Sequence, residues 1–247
     1  MSEDGSEWVV VTTNAEEFRK LLSGVKAMRS DVTLRFEENA LRIWEMDNAH
    51  CVMSEWVMPV QIESGVKATI GIDVEKVLKS IKGIRGDLYI TFGRTEKPNV
   101  ITFMDALENV RASWRAIEYR LLDKNLNMHP TYTHTVEASL LNDAIKSCSS
   151  VDKIVVRFRM MVTGEVQMEA MDFARNSIQT SLGKTASEAP LSEFTLNIQS
   201  ELLEMVLKGH GDELVMELEA ECPLIIRSTM ADGISVNSVI APRVEDE

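Results

Sequence analysis

Apolar residues along this chain recur with either the period of a β-strand or the period of an α-helix, and the two kinds of stretch follow each other in a fixed order. A β-branched run at residues 7–13 predicts a strand. Apolar residues at the spacing i, i+3, i+4 and i+7 come next and mark one face of a helix: Phe18, Leu21, Leu22 and Val25. Three further runs, at residues 32–36, 40–46 and 51–59, predict three strands after that helix.

The same order of strand, helix and three strands returns three more times. The apolar faces of the later helices are Val74, Val77, Leu78 and Ile81, then Leu141, Ala144, Ile145 and Cys148, then Leu203, Val206 and Leu207. The fourth position of the last face is His210, past Gly209, so that helix is expected to be short or frayed. Four copies predict two similar domains, each with two βαβββ repeats. Helices with one apolar face beside alternating strands predict an α+β fold, with the helices on one face of antiparallel sheets. An unrelated α+β chain whose helices share a common spacing is the alternative.

Between the two halves lies a stretch, residues 116–131, that fits neither period. Asn125, Asn127 and Pro130 argue against a helix there. Its apolar residues indicate a segment that packs on its own domain or on a partner: Leu121, Leu122, Leu126 and Met128. We therefore expect an N-terminal domain at residues 1–117, a connecting loop at 118–131 and a C-terminal domain at 132–247.

Composition narrows the class of protein. The 247 residues are 45% hydrophobic and can bury a sizeable core. Three widely separated cysteines, without a Cys-x-x-Cys pair, predict neither a disulfide framework nor a zinc site. The acidic N-terminus does not resemble a signal peptide, and no apolar run could span a bilayer, so an intracellular protein without membrane contact is expected.

Charge is distributed unevenly between the helices and the rest of the chain. The net charge of −13, taken whole, argues against wrapping nucleic acid. The helix regions 14–29 and 73–85 nevertheless each carry +2, whereas 138–153 is neutral and 200–212 carries −2. A stripe formed by Lys76, Lys79 and Lys82 is by itself usually a solvated face. Against an acidic remainder it favours a helix layer that faces a polyanion.

Four stretches resemble sliding clamps of the proliferating cell nuclear antigen type. Residues 44–50, Trp-Glu-Met-Asp-Asn-Ala-His, match that family's Met-Asp-x-x-His segment, and Lys76-Val77-Leu78-Lys79 matches its second helix. Leu126-Asn127-Met128, followed by Tyr132, is similar to the end of its connecting loop. The C-terminus, Ile-Ala-Pro-Arg-Val-Glu-Asp-Glu, is close to the family's terminal motif. The resemblance covers the full length of the chain.

The resemblance implies a DNA-clamp fold whose subunits form a ring-shaped trimer around double-stranded DNA, without sequence preference. It implies a processivity factor for DNA polymerase with no catalytic activity and no cofactor. Polymerase, clamp loader, flap endonuclease and DNA ligase would bind through short client peptides. The expected location is at replicating DNA, in the cytoplasm of a prokaryote or the nucleus of a eukaryote.

The resemblance also assigns site residues. The expected DNA contacts are Arg19, Lys20, Lys26, Lys76, Lys79, Lys82, Lys146 and Lys208. The expected client-peptide pocket consists of Met46, His50, Cys51, Leu126, Met128, Tyr132, Pro223, Ala241 and Pro242. The expected subunit contact pairs two edge strands, represented by Val110, Ala112 and Trp114 in one subunit and by Arg175, Ser177, Gln179 and Ser181 in the other.

The sequence was also compared with two other classes of function, an enzyme and a clamp-like adaptor. An enzyme is disfavoured, since the chain has no nucleotide-binding glycine loop, zinc-protease motif or nucleophile elbow. Its four histidines are scattered, and Asp47 beside His50 reads as a structural hydrogen bond. A clamp-like adaptor, or one subunit of a heteromeric ring with little DNA contact of its own, stays open because the fourth helix is acidic.

Overall fold

Four βαβββ repeats account for the secondary structure of this computed structural model, which describes residues 8–118, 130–185, 188–230 and 232–243. The first repeat consists of β1 (Trp8–Asn14), α1 (Ala15–Lys26), β2 (Asp31–Glu37), β3 (Ala40–Met46) and β4 (Val52–Pro59), with a short β5 (Gln61–Ile62) after it. The second consists of β6 (Ala68–Asp73), α2 (Val74–Ser80), β7 (Asp87–Gly93), β8 (Val100–Asp105) and β9 (Arg111–Arg115).

The third and fourth repeats have the same order. The third consists of β10 (Tyr132–Glu137), α3 (Ala138–Ser149), β11 (Val155–Met160), β12 (Glu165–Met171) and β13 (Ser177–Lys184). The fourth consists of β14 (Phe194–Gln199), α4 (Ser200–Leu207), β15 (Glu213–Leu218), β16 (Leu224–Thr229) and β17 (Ser235–Ile240). None of the helices within the described residues is long and apolar enough to cross a membrane.

The chain divides into two compact units. The first comprises Met1–Glu45, Glu55–Asp123 and Asp232–Ile234, and the second comprises Met46–Ser54, Lys124–Ala231 and Ser235–Glu247. This grouping by proximity exchanges two short segments between the halves of the chain. The boundaries expected from the sequence, 1–117, 118–131 and 132–247, therefore stay a prediction.

In the first unit, β5, β1, β7, β8 and β9 form one sheet in that order, and β6, β2 and β3 lie side by side in another. Every registered pair is antiparallel. Phe18 on α1 packs on Phe103 of β8, with ring centroids 5.9 Å apart. Phe36 and Phe92 make a second ring contact at 5.0 Å. The apolar face of α1 is buried as its spacing predicted.

In the second unit, β13, β12, β11 and β14 form a sheet in that order, and β10, β15, β16 and β17 lie side by side. These pairs are also antiparallel. The predicted face of α3 is buried along its length. On α4, Leu203, Val206 and Leu207 are buried, but the helix ends at Leu207, so His210 lies beyond it. The α+β prediction is confirmed.

Local hydrogen bonds explain where these elements begin and end. Asn14 caps α1 by accepting from the amides of Glu16 and Glu17 at 2.8 and 3.2 Å. Asp73 caps α2 through the amide of Lys76 at 3.0 Å. The predicted strand at 51–59 begins one residue late, at Val52, and the amides of Cys51 and Val52 both donate to the carboxylate of Asp47 at 2.7 Å.

Candidate functional site

The helix pair of the first unit carries most of the predicted DNA contacts. On α1 and α2, Lys20, Lys26, Lys76 and Lys79 are all exposed, opposite the buried apolar faces, and Lys82 is exposed just beyond α2. Lys20 is 62% exposed and pairs with Asp232 at 3.0 Å, and Lys79 is 75% exposed and pairs with Glu75 at 2.8 Å. Exposed pairs of this kind are weak because water screens them, so a phosphate can replace the acid.

Arg19 differs from these lysines because its guanidinium is held by the protein backbone. Its Nη1 donates to the carbonyls of Ile81 and Ile84 at 3.1 and 2.8 Å, and the side chain is 18% exposed. These carbonyls follow the last turn of α2, where helical partners run out. Arg19 therefore fastens the end of α2 to α1, a role that the sequence reading did not assign.

The helix pair of the second unit has fewer cations. Lys146 on α3 is exposed and pairs with Asp143 of the same helix at 3.1 Å, and Lys208 follows α4. A cleft of about 280 Å³ lies on the surface of the two helices and is lined by Asn142, Ile145, Lys146, Glu204, Leu207 and Lys208. This surface mixes both signs of charge with apolar side chains.

The predicted client pocket includes a loop between β3 and β4 that is organised by Asp47. Its carboxylate accepts hydrogen bonds from the amides of Ala49, Cys51 and Val52 at 3.1, 2.7 and 2.7 Å. His50 is exposed and has a left-handed backbone, with φ of 60°. Asp47 thus fixes the loop through the backbone, as expected of a structural carboxylate, and the amide of His50 donates to the carbonyl of Asp47 at 3.2 Å.

Three other segments that carry predicted pocket residues lie at the ends of strands in the second unit. The amide of Ala241 donates to the carbonyl of Cys51 at 2.8 Å. Leu224 pairs with Ile240, which brings the preceding Pro223 to the same end as Ala241. Tyr132 pairs with Leu218 at the end of β10. The structure therefore assembles Cys51, Pro223 and Ala241 around one end of β16 and β17, while Leu126 and Met128 lie outside the described residues.

The strands expected to form the subunit contact lie at sheet edges. β9 ends the five-stranded sheet and β13 ends the four-stranded sheet. Exposed residues alternate along both strands, and Ser177, Gln179 and Ser181 are exposed on β13. Arg175, in the turn before β13, has a left-handed backbone with φ of 64°. An uncovered strand edge offers backbone groups to another chain.

Two histidines, one buried and one half-buried, are held by internal hydrogen bonds. The ring nitrogens of His134 lie 3.2 and 3.0 Å from the carbonyls of Lys184 and Leu182. Burial lowers the pKa of His134 despite these two acceptors. His210 contacts the hydroxyls of Ser228 and Ser238, both at 2.9 Å, and burial lowers its pKa to about 4. Both serines are buried, so neither hydroxyl is open to a substrate.

Comparison with known proteins identifies the fold. No protein-family model matches the chain. It is 21% identical to the DNA polymerase sliding clamp of Thermococcus sibiricus and 24% identical to DNA polymerase sliding clamp 1 of Thermococcus kodakarensis; each alignment covers 96% of this chain and 98% of the relative. PCNA of A. fulgidus, solved with the C-terminal region of FEN-1, superposes with a TM-score of 0.81 at 18% identity, covering 97% of this chain and 100% of the other. The chain has the PCNA sliding-clamp fold.

A second solved clamp agrees. PCNA of Thermococcus kodakaraensis has a TM-score of 0.79 at 17% identity and covers 96% of this chain and 100% of its own. The resemblance to PCNA-type clamps is thereby confirmed. Among the described residues, no group of histidine, cysteine and acidic side chains could hold a metal ion.

Sequence reasoning missed two partners of the pocket. The ring of Phe194, at the start of β14, packs on Tyr132 with centroids 5.5 Å apart. The amide of Arg243 donates to the carbonyl of Asn197 at 2.8 Å, so the segment after Pro242 runs along β14. Both contacts join residues distant in sequence, and although Arg243 belongs to the C-terminal motif, that motif does not indicate its contact with Asn197.

Proposed function

We propose that the protein is a sliding clamp that encircles double-stranded DNA and tethers DNA polymerase and other replication and repair proteins. The observation that carries this proposal is the match of the whole chain to PCNA clamps, combined with a cationic outer face on α1 and α2 in an otherwise acidic protein. Long, solvated lysines suit sliding because they attract phosphates without reading bases. The clamp assembles as a trimer and has no catalytic activity of its own.

The proposed sites follow from this assembly. DNA meets Lys20, Lys26, Lys76, Lys79 and Lys82 on the first helix pair, and the cations on the same side of the second pair are Lys146 and Lys208. Client peptides occupy the pocket around Cys51, Pro223 and Ala241, beneath a connecting loop at residues 118–131 that supplies Leu126 and Met128. The domains on either side are residues 1–117 and 132–247. Subunits join through β9 of one copy and β13 of the next.

The proposed partners are polymerase, clamp loader, flap endonuclease and DNA ligase, each through a short peptide with apolar and aromatic side chains. The placement of Cys51, Pro223 and Ala241 at one end of β16 and β17, and the Tyr132–Phe194 ring contact, support a pocket of that chemistry. The protein acts inside the cell at replicating DNA, in the cytoplasm of a prokaryote or the nucleus of a eukaryote.

Extension of a primed single-stranded circle by polymerase and clamp loader tests the proposal. Addition of the protein is expected to lengthen the products of a single binding event. Lys76→Ala with Lys79→Ala is expected to shorten them again, because the attraction between clamp and phosphate falls. An adaptor without DNA contact would leave product length unchanged in both cases, and that result would reject the sliding clamp.

Calorimetry with a client peptide tests the pocket separately. Leu126→Ala with Met128→Ala is expected to weaken binding about tenfold or more, since buried apolar side chains dominate such sites. Leu107→Ala is the matched control, because Leu107 is 80% exposed in the turn between β8 and β9. Equal affinity of all three proteins would refute the pocket.

A further inference from the structure

The two helix pairs of the chain can be compared position by position. The amide of Ala15 donates to the carbonyl of Gly86 at 2.8 Å, and the amide of Ala138 donates to the carbonyl of Asp212 at 2.7 Å. Each bond joins the first residue of one helix to the residue just before the strand that follows the other helix. Ala15 therefore corresponds to Ala138, and Gly86 to Asp212.

Strand register supports the same correspondence. Asn14, before α1, pairs with Asp87, and Glu137, before α3, pairs with Glu213. Since α2 begins at Val74 and α4 at Ser200, the two helices of each pair are aligned without a gap. Each exposed residue of the first pair thus has one defined counterpart in the second.

The cations of the first pair are almost entirely replaced at those counterparts. On α1 and α3, Lys20 corresponds to Asp143 and Lys26 to Ser149. On α2 and α4, Lys76 corresponds to Leu202 and Lys79 to Met205, both half-buried. Lys208, the counterpart of Lys82, is retained, and Lys146 is gained opposite Ser23. The two helix positions that form a cationic stripe in one unit are therefore apolar in the other.

The two pairs also differ in the side-chain hydrogen bonds that join one helix to the other. Arg19 reaches two backbone carbonyls beyond α2, but its counterpart Asn142 bonds the carbonyl of Ala138 in its own helix at 2.8 Å. The cleft of about 280 Å³ beside Asn142 is left between α3 and α4. Nearby, Leu140 on α3 is 40% exposed, where α1 has Glu17.

We infer that α1 and α2 hold the DNA phosphates in each subunit and that α3 and α4 contribute little. The inference rests on the proposed function and assigns an unequal role to the two halves of one clamp subunit. Lys146 is already paired with Asp143, and Lys208 lines the same cleft as Glu204, so the second pair, whose helix regions are neutral and −2, has no net positive charge to attract a phosphate. Leu202 and Met205 offer no donor to a phosphate oxygen.

Salt-dependent binding of a fluorescent linear duplex tests the inference, with anisotropy measured across a series of NaCl concentrations. Lys76→Ala with Lys79→Ala is expected to lower the slope of log K against log salt by about 2 for each helix pair that contacts the duplex. Lys146→Ala with Lys208→Ala removes the same number of cations and is expected to change the slope by about 0.5 or less. Native mass and urea unfolding establish beforehand that each variant is assembled and folded.

A gain-of-function variant completes the test. Leu202→Lys with Met205→Lys restores the stripe at the counterpart positions and is expected to raise the slope by about 2. Equal losses from the two alanine variants, or no gain from this one, would overturn the inference while the wild type still binds DNA. A wild type without salt-dependent binding would instead reject the proposed function, and the inference with it.

Discussion

Replacing Arg19 with alanine is expected to loosen the end of α2 by an amount that its contacts define. The guanidinium donates to two carbonyls, of Ile81 and Ile84, at 3.1 and 2.8 Å. A hydrogen bond from a charged donor contributes about 1.5–3 kcal/mol, and partial exposure of the side chain lets water replace part of it. We therefore expect Arg19→Ala to lower the free energy of unfolding by about 2–3 kcal/mol. Arg19→Lys, with one ammonium group for two carbonyls, is expected to lose about half of that.

Lys20→Ala is the matched control, since Lys20 lies next along the helix and its pair with Asp232 is largely exposed. We expect that variant to lose far less stability than Arg19→Ala, because water screens an exposed ion pair. Urea unfolding measures the global loss, and hydrogen exchange of the amides at residues 81–86 measures the local one. Equal losses from Arg19→Ala and Lys20→Ala, with unchanged exchange at those amides, would refute the role assigned to Arg19.

Two further predictions concern pH and assembly. Burial raises the pKa of Glu45 from about 4.5 to about 7, although the amide of Thr33 opposes this by donating to its carboxylate at 3.0 Å. Because the folded state favours the protonated form, the contribution of Glu45 to the free energy of unfolding is fully present below pH 4.5 and is lost as pH rises through 7, by about 3 kcal/mol at most. Glu45→Gln should remove this pH dependence of the free energy of unfolding, measured by urea denaturation. Parallel plots of that free energy against pH for the two proteins would contradict the assignment. Ser177→Lys with Gln179→Lys on β13 should yield monomers by light scattering, because the new lysines would repel the exposed Arg111 and Arg115 of β9 in the proposed subunit contact. The control variant, Ser177→Glu with Gln179→Glu, should remain trimeric. A trimer in both variants would exclude the pairing of β9 with β13.

The fold could be predicted from the sequence because apolar residues are spaced regularly within the helices and strands of each repeat. Phe18, Leu21, Leu22 and Val25 are buried on α1 as their spacing requires. The turn at Glu38 and Asn39, between β2 and β3, has left-handed φ values of 50° and 60°. Local pattern and global fold agree in these elements, which is what makes a pattern readable.

The site was only partly predictable. Exposed lysines follow from helix periodicity, but the engagement of Arg19 with Ile81 and Ile84 depends on how two helices pack. A second contact of this kind lies at the start of the connecting stretch. The amide of Ile117 donates to the carbonyl of Gly71 at 3.0 Å, and a Cβ at Gly71 would overlap the Ile117 carbonyl. Such contacts between distant residues leave no periodic signal, so only the structure reveals them.

Retention on DNA tests the central proposal most directly. The protein would be loaded onto a closed circular duplex, isolated with it at moderate salt, and assayed again after the circle is cut once. A ring that encircles DNA is expected to remain on the closed circle and to be lost within minutes after cutting, since nothing but topology holds it. Equal retention on closed and cut DNA, or release from both, would contradict the account.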